Sequence, residues 1–273
     1  MSHWSPALSR RAFLMGSAWL GAAALMGCSS ETTPTSTPSP ADFPDEVSPF
    51  DWSGLVWVGE KLEYFDDDRL ASRWGVDVSE HQGDVDWRTV MESTVQFAFV
   101  RIGNRGATEG TLNADPYFLK NALGATEAGI EVSAYYFSQA LTEEEAREEA
   151  NSAVVDLAEA EAEGVTFAYV AYDHEPVDIP GARANDLSDR QFTANARAFC
   201  EVIAKAGYKP MIYGNPKDLA RIAPELRNAY PIWYAEYGVE SPTLPFDFAI
   251  WQYTNAGTVP GITGEVDLNI WFD

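Results

Sequence analysis

From Trp74 to the C-terminus, short β-rich runs alternate with helical patterns, and this alternation restricts the fold more than any other feature of the chain. The runs are Trp74–Val78, Phe97–Ile102, Ile130–Phe137, Phe167–Asp173, Lys209–Tyr213, Pro231–Tyr237, Phe248–Tyr253 and Gly261–Asp267. Helical patterns separate the earlier ones, at Asp86–Ser93, Asp115–Ala128, Thr142–Glu163, Ser188–Ala206 and Pro216–Ile222. Repeated strand, helix, strand calls for parallel strands joined by right-handed crossovers, and eight runs suggest closure into a barrel. After the sixth run the connections shrink below what a crossover helix needs. The predicted fold is therefore α/β: an irregular single-domain, TIM-barrel-like β/α barrel over residues 74–273, with five helical units and three closing strands.

The composition can fill such a core, at 46% hydrophobic and 13% aromatic residues. A formal charge of −24 excludes nucleic acid as a partner, because phosphate binding needs a basic stripe. The plain reading of the acidity is a solvated surface with Glu143 to Glu149 on one exposed helix face; a sharper one is that it weakens adhesion to an anionic cell wall.

Ahead of the barrel, residues 1–28 have the layout of an export signal. A twin arginine, Arg10-Arg11, precedes an apolar run from Ala12 to Gly27, shorter than a membrane span of roughly 20 residues. The run closes on Leu25-Met26-Gly27-Cys28, which resembles a bacterial lipobox and makes Cys28 the expected lipidation site. Cys200, in a helical pattern, then has no intrachain disulfide partner and reads as a buried thiol. Residues 29–49 are Ser, Thr, Pro, Glu and Asp with almost nothing apolar to bury, a tether. Residues 50–73, with an apolar segment from Leu55 to Phe65 interrupted by Gly59-Glu60, read as an extension packed on the barrel. The expected location is the outer face of the cell membrane, as a monomer facing the wall.

In a β/α barrel the chemistry lies at the C-terminal strand ends. Those ends bring Asp77, Arg101, Tyr135, Tyr136, Asp173, Glu175, Tyr213, Trp233, Tyr237, Trp251, Gln252 and Asp267 to one rim. Acids supply proton transfer and charge stabilisation, and aromatic rings stack on sugar faces, so the combination suits glycoside hydrolysis. Asp173 and Glu175, at i and i+2 on a strand, share a face, and adjacent carboxylates favour one that keeps its proton. The structural alternative is that this Asp-x-Glu caps a loop or pairs with Arg101. His174 points to the opposite face and reads as packed, whereas His81, in the loop after the first strand, reads equally as cleft-lining. With only these two histidines after the signal and no His-Glu-x-x-His, neither a metal nor a cofactor is predicted. Ser79 lacks a Gly-x-Ser-x-Gly context, and no glycine-rich phosphate loop is present.

Several ordered blocks resemble the family 25 glycoside hydrolases, the bacterial and phage lysozymes. They are Gly75-Val76-Asp77-Val78-Ser79-Glu80-His81-Gln82-Gly83 followed by Val85-Asp86-Trp87, then Phe99-Val100-Arg101, Ala134-Tyr135-Tyr136-Phe137-Ser138 and Asp173-His174-Glu175. Lys209-Pro210-Met211-Ile212-Tyr213, Ile232-Trp233-Tyr234-Ala235-Glu236-Tyr237, Ile250-Trp251-Gln252-Tyr253 and Val266-Asp267-Leu268-Asn269 continue it. The resemblance implies a barrel of five helical units and three closing strands, and cleavage of the β-1,4 bond between N-acetylmuramic acid and N-acetylglucosamine. It implies Glu175 as general acid, Asp173 as the carboxylate that assists the substrate acetamido group or acts as base, and Asp77 and Asp267 as supporting acids. One departure is Tyr136, where many relatives carry histidine. A chitinase-like glycosidase and a non-catalytic wall-binding lipoprotein are the competing readings.

Overall fold

The computed structural model describes residues 37–273; the signal, its Cys28 and the first part of the tether lie outside them. Three strands come first, β1 (Leu55–Val58), β2 (Lys61–Asp66) and β3 (Arg69–Leu70), forming a small antiparallel sheet. The β1–β2 turn places Gly59 at a φ of 67°, a left-handed conformation that glycine adopts without steric penalty. The barrel then runs β4 (Ser72–Val78), α1 (Trp87–Glu92), β5 (Phe97–Arg105), β6 (Leu112–Ala114), α2 (Phe118–Glu127), β7 (Glu131–Phe137) and α3 (Glu143–Ala162). It continues with β8 (Phe167–Asp173), α4 (Asp189–Lys205), β9 (Pro210–Gly214), α5 (Pro216–Arg221), α6 (Pro224–Arg227), β10 (Ile232–Ala235), β11 (Ile250–Gly257) and β12 (Val266–Phe272).

The sheet order β4-β12-β11-β10-β9-β8-β7-β5, with β5 pairing back to β4, closes an eight-stranded barrel. Helices join the strands from β4 to β10, and none separates β10, β11 and β12, so the short-connection argument holds. The direction and position of the last strand differ from expectation. It spans Val266–Phe272 rather than Gly261–Asp267, and pairs antiparallel to both β11 and β4. An antiparallel partner can be reached by a tight turn, which is what a short connection permits. Strand β6, a short antiparallel addition at the rim end of β5, is also new.

Local chemistry accounts for the helices. Thr142, Ser188, Asp86 and Asn215 each accept a backbone N–H in the first turn of α3, α4, α1 and α5. Helix α3 turns an alanine-rich face inward (Ala146, Ala150, Ala153, Ala160), which lets it lie close to the barrel and to α4. Where no helix covers β11, β12 and β4, the N-terminal extension does. Phe50 lies 4.4 Å from the Phe272 ring and 5.4 Å from that of Phe248, and Trp52 stacks on Phe248 at 5.8 Å.

The barrel interior is a packed aromatic core: Phe99 lies 4.2 Å and Tyr213 4.7 Å from the Trp233 ring, and Phe97 lies 5.2 Å from Trp271. Gly75 is required beside it, since a Cβ there would sit 2.5 Å from the Phe97 ring. At the floor, Arg73 lies over Trp271 and pairs with Glu131 and Asp273. The other end of the barrel is thereby left to the site.

Candidate active site

Strand pleating decides which rim residues face inward. On β4, Gly75 and Asp77 face the barrel axis while Trp74 and Val76 belong to the outer core. Asp77 lies directly opposite Asp267 of β12. Because β12 runs antiparallel, Asp267 reaches the rim from the start of its strand, not from its end. Like charges facing each other across a ladder are destabilising, so the pair needs donors around it.

The donors are two buried amides on one oxygen. Gln252 Nε2 donates to Asp77 Oδ2 at 2.6 Å and Asn269 Nδ2 to the same atom at 2.9 Å. Each amide is oriented from behind. Trp233 Nε1 donates to Asn269 Oδ1 at 2.8 Å, and the Tyr213 hydroxyl to Gln252 Oε1 at 2.8 Å, with the Tyr237 hydroxyl on the same acceptor. Only one orientation of each amide satisfies both neighbours, so its NH2 end must face the carboxylate. Asn269 was absent from the residues expected in the site; its position two residues beyond Asp267 on one strand, hence on the same face, is the signal that marks it.

Tyr237 joins this network through Gln252. Its hydroxyl is pushed well above the ordinary tyrosine value by burial and then by the negative charges of Asp267, Glu175 and Asp77, with a hydrogen bond to Tyr213 acting the other way. It therefore stays neutral and donates to the Gln252 carbonyl oxygen. Asp173, at the end of β8, is buried beside Tyr213 of β9 and Phe137 of β7 in the ladder. Strand β8 ends at Asp173, so the shared face expected for Asp173 and Glu175 is not supplied by the ladder; Glu175, half-buried, lies in the following loop.

The other expected residues divide. Tyr135 faces the barrel core with Trp233, at 6.0 Å between rings. Tyr136 and Trp251 do not face the cleft. Tyr136 packs outward on Phe199 of α4, and Trp251 packs outward beside Tyr253 and donates to the Glu236 carbonyl. The physical reason is alternation: Tyr135 and Gln252 occupy the inward positions next to them. Trp233 and Tyr213 are buried and act as supports for Asn269 and Gln252. Arg101 is not open to a substrate through its Nε and Nη2, which pair with Asp115 at 2.8 Å and Glu80 at 2.7 Å. Since Asp115 also accepts the Glu80 backbone N–H, Arg101 fixes the rim loop that carries exposed His81. His174 packs on Phe192 at 5.0 Å, away from the acids. Among the described residues, no three His, Cys, Asp or Glu side chains are grouped to hold a metal ion.

Asp77 held by two amide donors, Asp267 opposite it, and Asp173 and Glu175 at and just beyond the end of β8 are the carboxyl groups that acid-assisted cleavage of an acetal bond would require. The glycosyl hydrolases family 25 profile matches residues 76–262. An uncharacterized protein YegX of Escherichia coli O157:H7 is 26% identical over 204 residues, covering 72% of this chain and 68% of its own. The autolytic lysozyme of Clostridium acetobutylicum is 26% identical over 196 residues, 71% of this chain, and the chain spans 54% of that enzyme's length. Among solved structures, the modular autolysin LytC of Streptococcus pneumoniae superposes with a TM-score of 0.66 at 22% identity, over 80% of this chain and 52% of LytC. The matched profile runs from the end of β4 through β11, with Asp77, Asp173 and Glu175 inside it, and on that ground the chain belongs to glycosyl hydrolase family 25.

Proposed function

We propose that this protein is a peptidoglycan hydrolase, a muramidase that cleaves the β-1,4 bond between N-acetylmuramic acid and N-acetylglucosamine. The observation that carries the reading is that one rim of the barrel gathers Asp77, held by Gln252 and Asn269, Asp267 opposite it, and Asp173 at the end of β8 with Glu175 two residues on, in a chain of this family. Glu175 protonates the departing glycosidic oxygen. As positive charge grows at the anomeric carbon, the substrate's own acetamido oxygen closes on it, with Asp173 accepting from the acetamido N–H. Water then attacks the anomeric carbon from the face the glycosidic oxygen left, giving its proton to Glu175, and the acetamido oxygen is released. Asp77, fixed by Gln252 and Asn269, and Asp267 opposite it supply negative potential beneath the developing cation.

For the location, our reading is export through a twin-arginine signal and anchorage by lipid at Cys28 on the outer face of the membrane; of the expected tether 29–49, Phe43 packs on Phe246 and Glu46 pairs with Arg227, which shortens the spacer to the residues before them. Peptidoglycan strands are then the partner within reach.

The full chain incubated with purified peptidoglycan and, separately, with chitin oligomers tests the activity. Soluble muropeptides released from the first alone are the expected result. Turnover of chitin alone would make it another glycosidase, and binding without release would make it a wall-binding protein.

A further inference from the structure

The segment after β7 is a loop, yet Ser138, Gln139 and Ala140 are completely buried. Loops normally run over the surface, and buried polar backbone must find partners. Here the partners are the three consecutive residues of the acidic motif. Ser138 N donates to the Asp173 carbonyl at 2.6 Å. The Ser138 carbonyl lies 3.1 Å from His174 Nδ1; a carbonyl only accepts, so Nδ1 carries the hydrogen. Gln139 Nε2 donates to the Glu175 carbonyl at 2.9 Å and to that of Ser138 at 2.9 Å.

Gln139 supplies what the ladder lacks. Strand β8 stops at Asp173, and the Gln139 amide is the tie on the Glu175 main chain, two residues on. Its own Oε1 accepts no hydrogen bond among the described residues.

Behind the loop stands a second set of bonds. Glu149 of α3 accepts from Ser138 Oγ at 2.6 Å, from Gln139 N at 3.3 Å and from Arg105 Nε at 2.8 Å. Asn195 of α4 donates to the Ala140 carbonyl at 2.8 Å. The loop is thus fixed to two helices before it reaches for the motif.

We propose that Gln139 is a positioning residue for the general acid, holding the Glu175 backbone where an extended β8 would have carried it, with Ser138 and Glu149 as its support. The inference rests on the assignment of Glu175 as the proton donor. Displacement of a reacting group by about 1 Å costs on the order of 100-fold in rate.

The test is a double-mutant cycle on the full chain with soluble peptidoglycan oligomers, using Gln139→Met, which keeps the length and removes the donor. The expected result is a kcat lower by about 10–100-fold with KM within about twofold. In a Glu175→Gln background the same substitution should change the residual rate by less than about twofold, because its effect passes through Glu175. An equal fold-loss in both backgrounds, or an unchanged kcat in the single variant, overturns the proposal. Hydrogen exchange gives a readout independent of activity: Gln139→Met, and Gln139→Asn as a second variant too short to reach, should speed exchange at the amides of His174, Glu175 and Val177 and leave β7 and β9 protected. Unchanged exchange there refutes the pinning. An inactive wild-type chain overturns the functional assignment instead, and with it the role of Glu175.

Discussion

Replacing Asn269 by aspartate keeps the shape of the side chain and reverses one bond. One oxygen still accepts from Trp233 Nε1, at 2.8 Å in the native protein, but the atom facing Asp77 Oδ2 at 2.9 Å changes from donor to acceptor. Two full charges at that separation repel by about 6 kcal/mol at an effective dielectric of about 20. Keeping a proton on the introduced carboxyl at pH 7, against an ordinary value of about 3.9, costs about 4 kcal/mol. Protonation is the cheaper route, and a protonated carboxyl donates to Asp77 as the amide did. The Asn269→Asp variant should therefore be about 4 kcal/mol less stable than wild type at pH 7. For a chain of this size that is a melting temperature lower by about 8–16 °C. The folded state holds a proton that the unfolded state releases, so stability is lost as pH rises above about 4 and regained on acidification at about 1.4 kcal/mol per pH unit. Thermal melts by circular dichroism at pH 4, 5, 6 and 7, taken as variant minus wild type, read this directly. A gap that stays constant with pH, or no gap at pH 7, would refute the assignment of Asn269 as the donor to a charged Asp77.

Other expectations follow from the packing and from one histidine. Gly75→Ala places a methyl 2.5 Å from the Phe97 ring inside a filled barrel, and should lower stability by about 1–3 kcal/mol in a urea titration. Phe50→Ala strips ring contacts with Trp52, Tyr64, Phe248 and Phe272 from the helix-free side of the barrel, and should cost about 3 kcal/mol with an unchanged denaturant slope. Burial holds the His174 imidazole down to about 4 from an ordinary 6.5, against the pull of its bond to Ser138. Nitrogen NMR should thus find it neutral and protonated on Nδ1 down to about pH 4. Since the unfolded chain takes that proton first, this residue's contribution to stability is present above pH 6.5 and is lost as pH falls from 6.5 to about 4.

Much of this architecture is legible in the sequence because it is local. Thr142 and Ser188 announce the starts of α3 and α4, and the run Phe167–Asp173 is bounded as the strand is. The direction of β12 is not legible, because an apolar strand reads alike in either direction; Asp267 reached the expected rim from the start of its strand. Tyr136 and Trp251 were misplaced because barrel strands covered on both faces are apolar at nearly every position, so the inward parity is hidden. The parity becomes visible only once Asp77, Gln252 and Asn269 are seen to bond one another across three strands. Gln139 was missed, and Glu149 was expected on an exposed helix face although it is completely buried against Arg105 and Ser138, for a related reason. Their importance comes from partners on other elements, 36 residues away for Gln139 and Glu175, and no spacing rule reaches that far.

Mass spectrometry of the reducing ends released from defined peptidoglycan shows whether Glu175 gives the proton in a muramidase reaction. The full chain should leave N-acetylmuramic acid at the new reducing ends, and folded Glu175→Gln should release none. N-acetylglucosamine at those ends, or undiminished release by the variant, would contradict it.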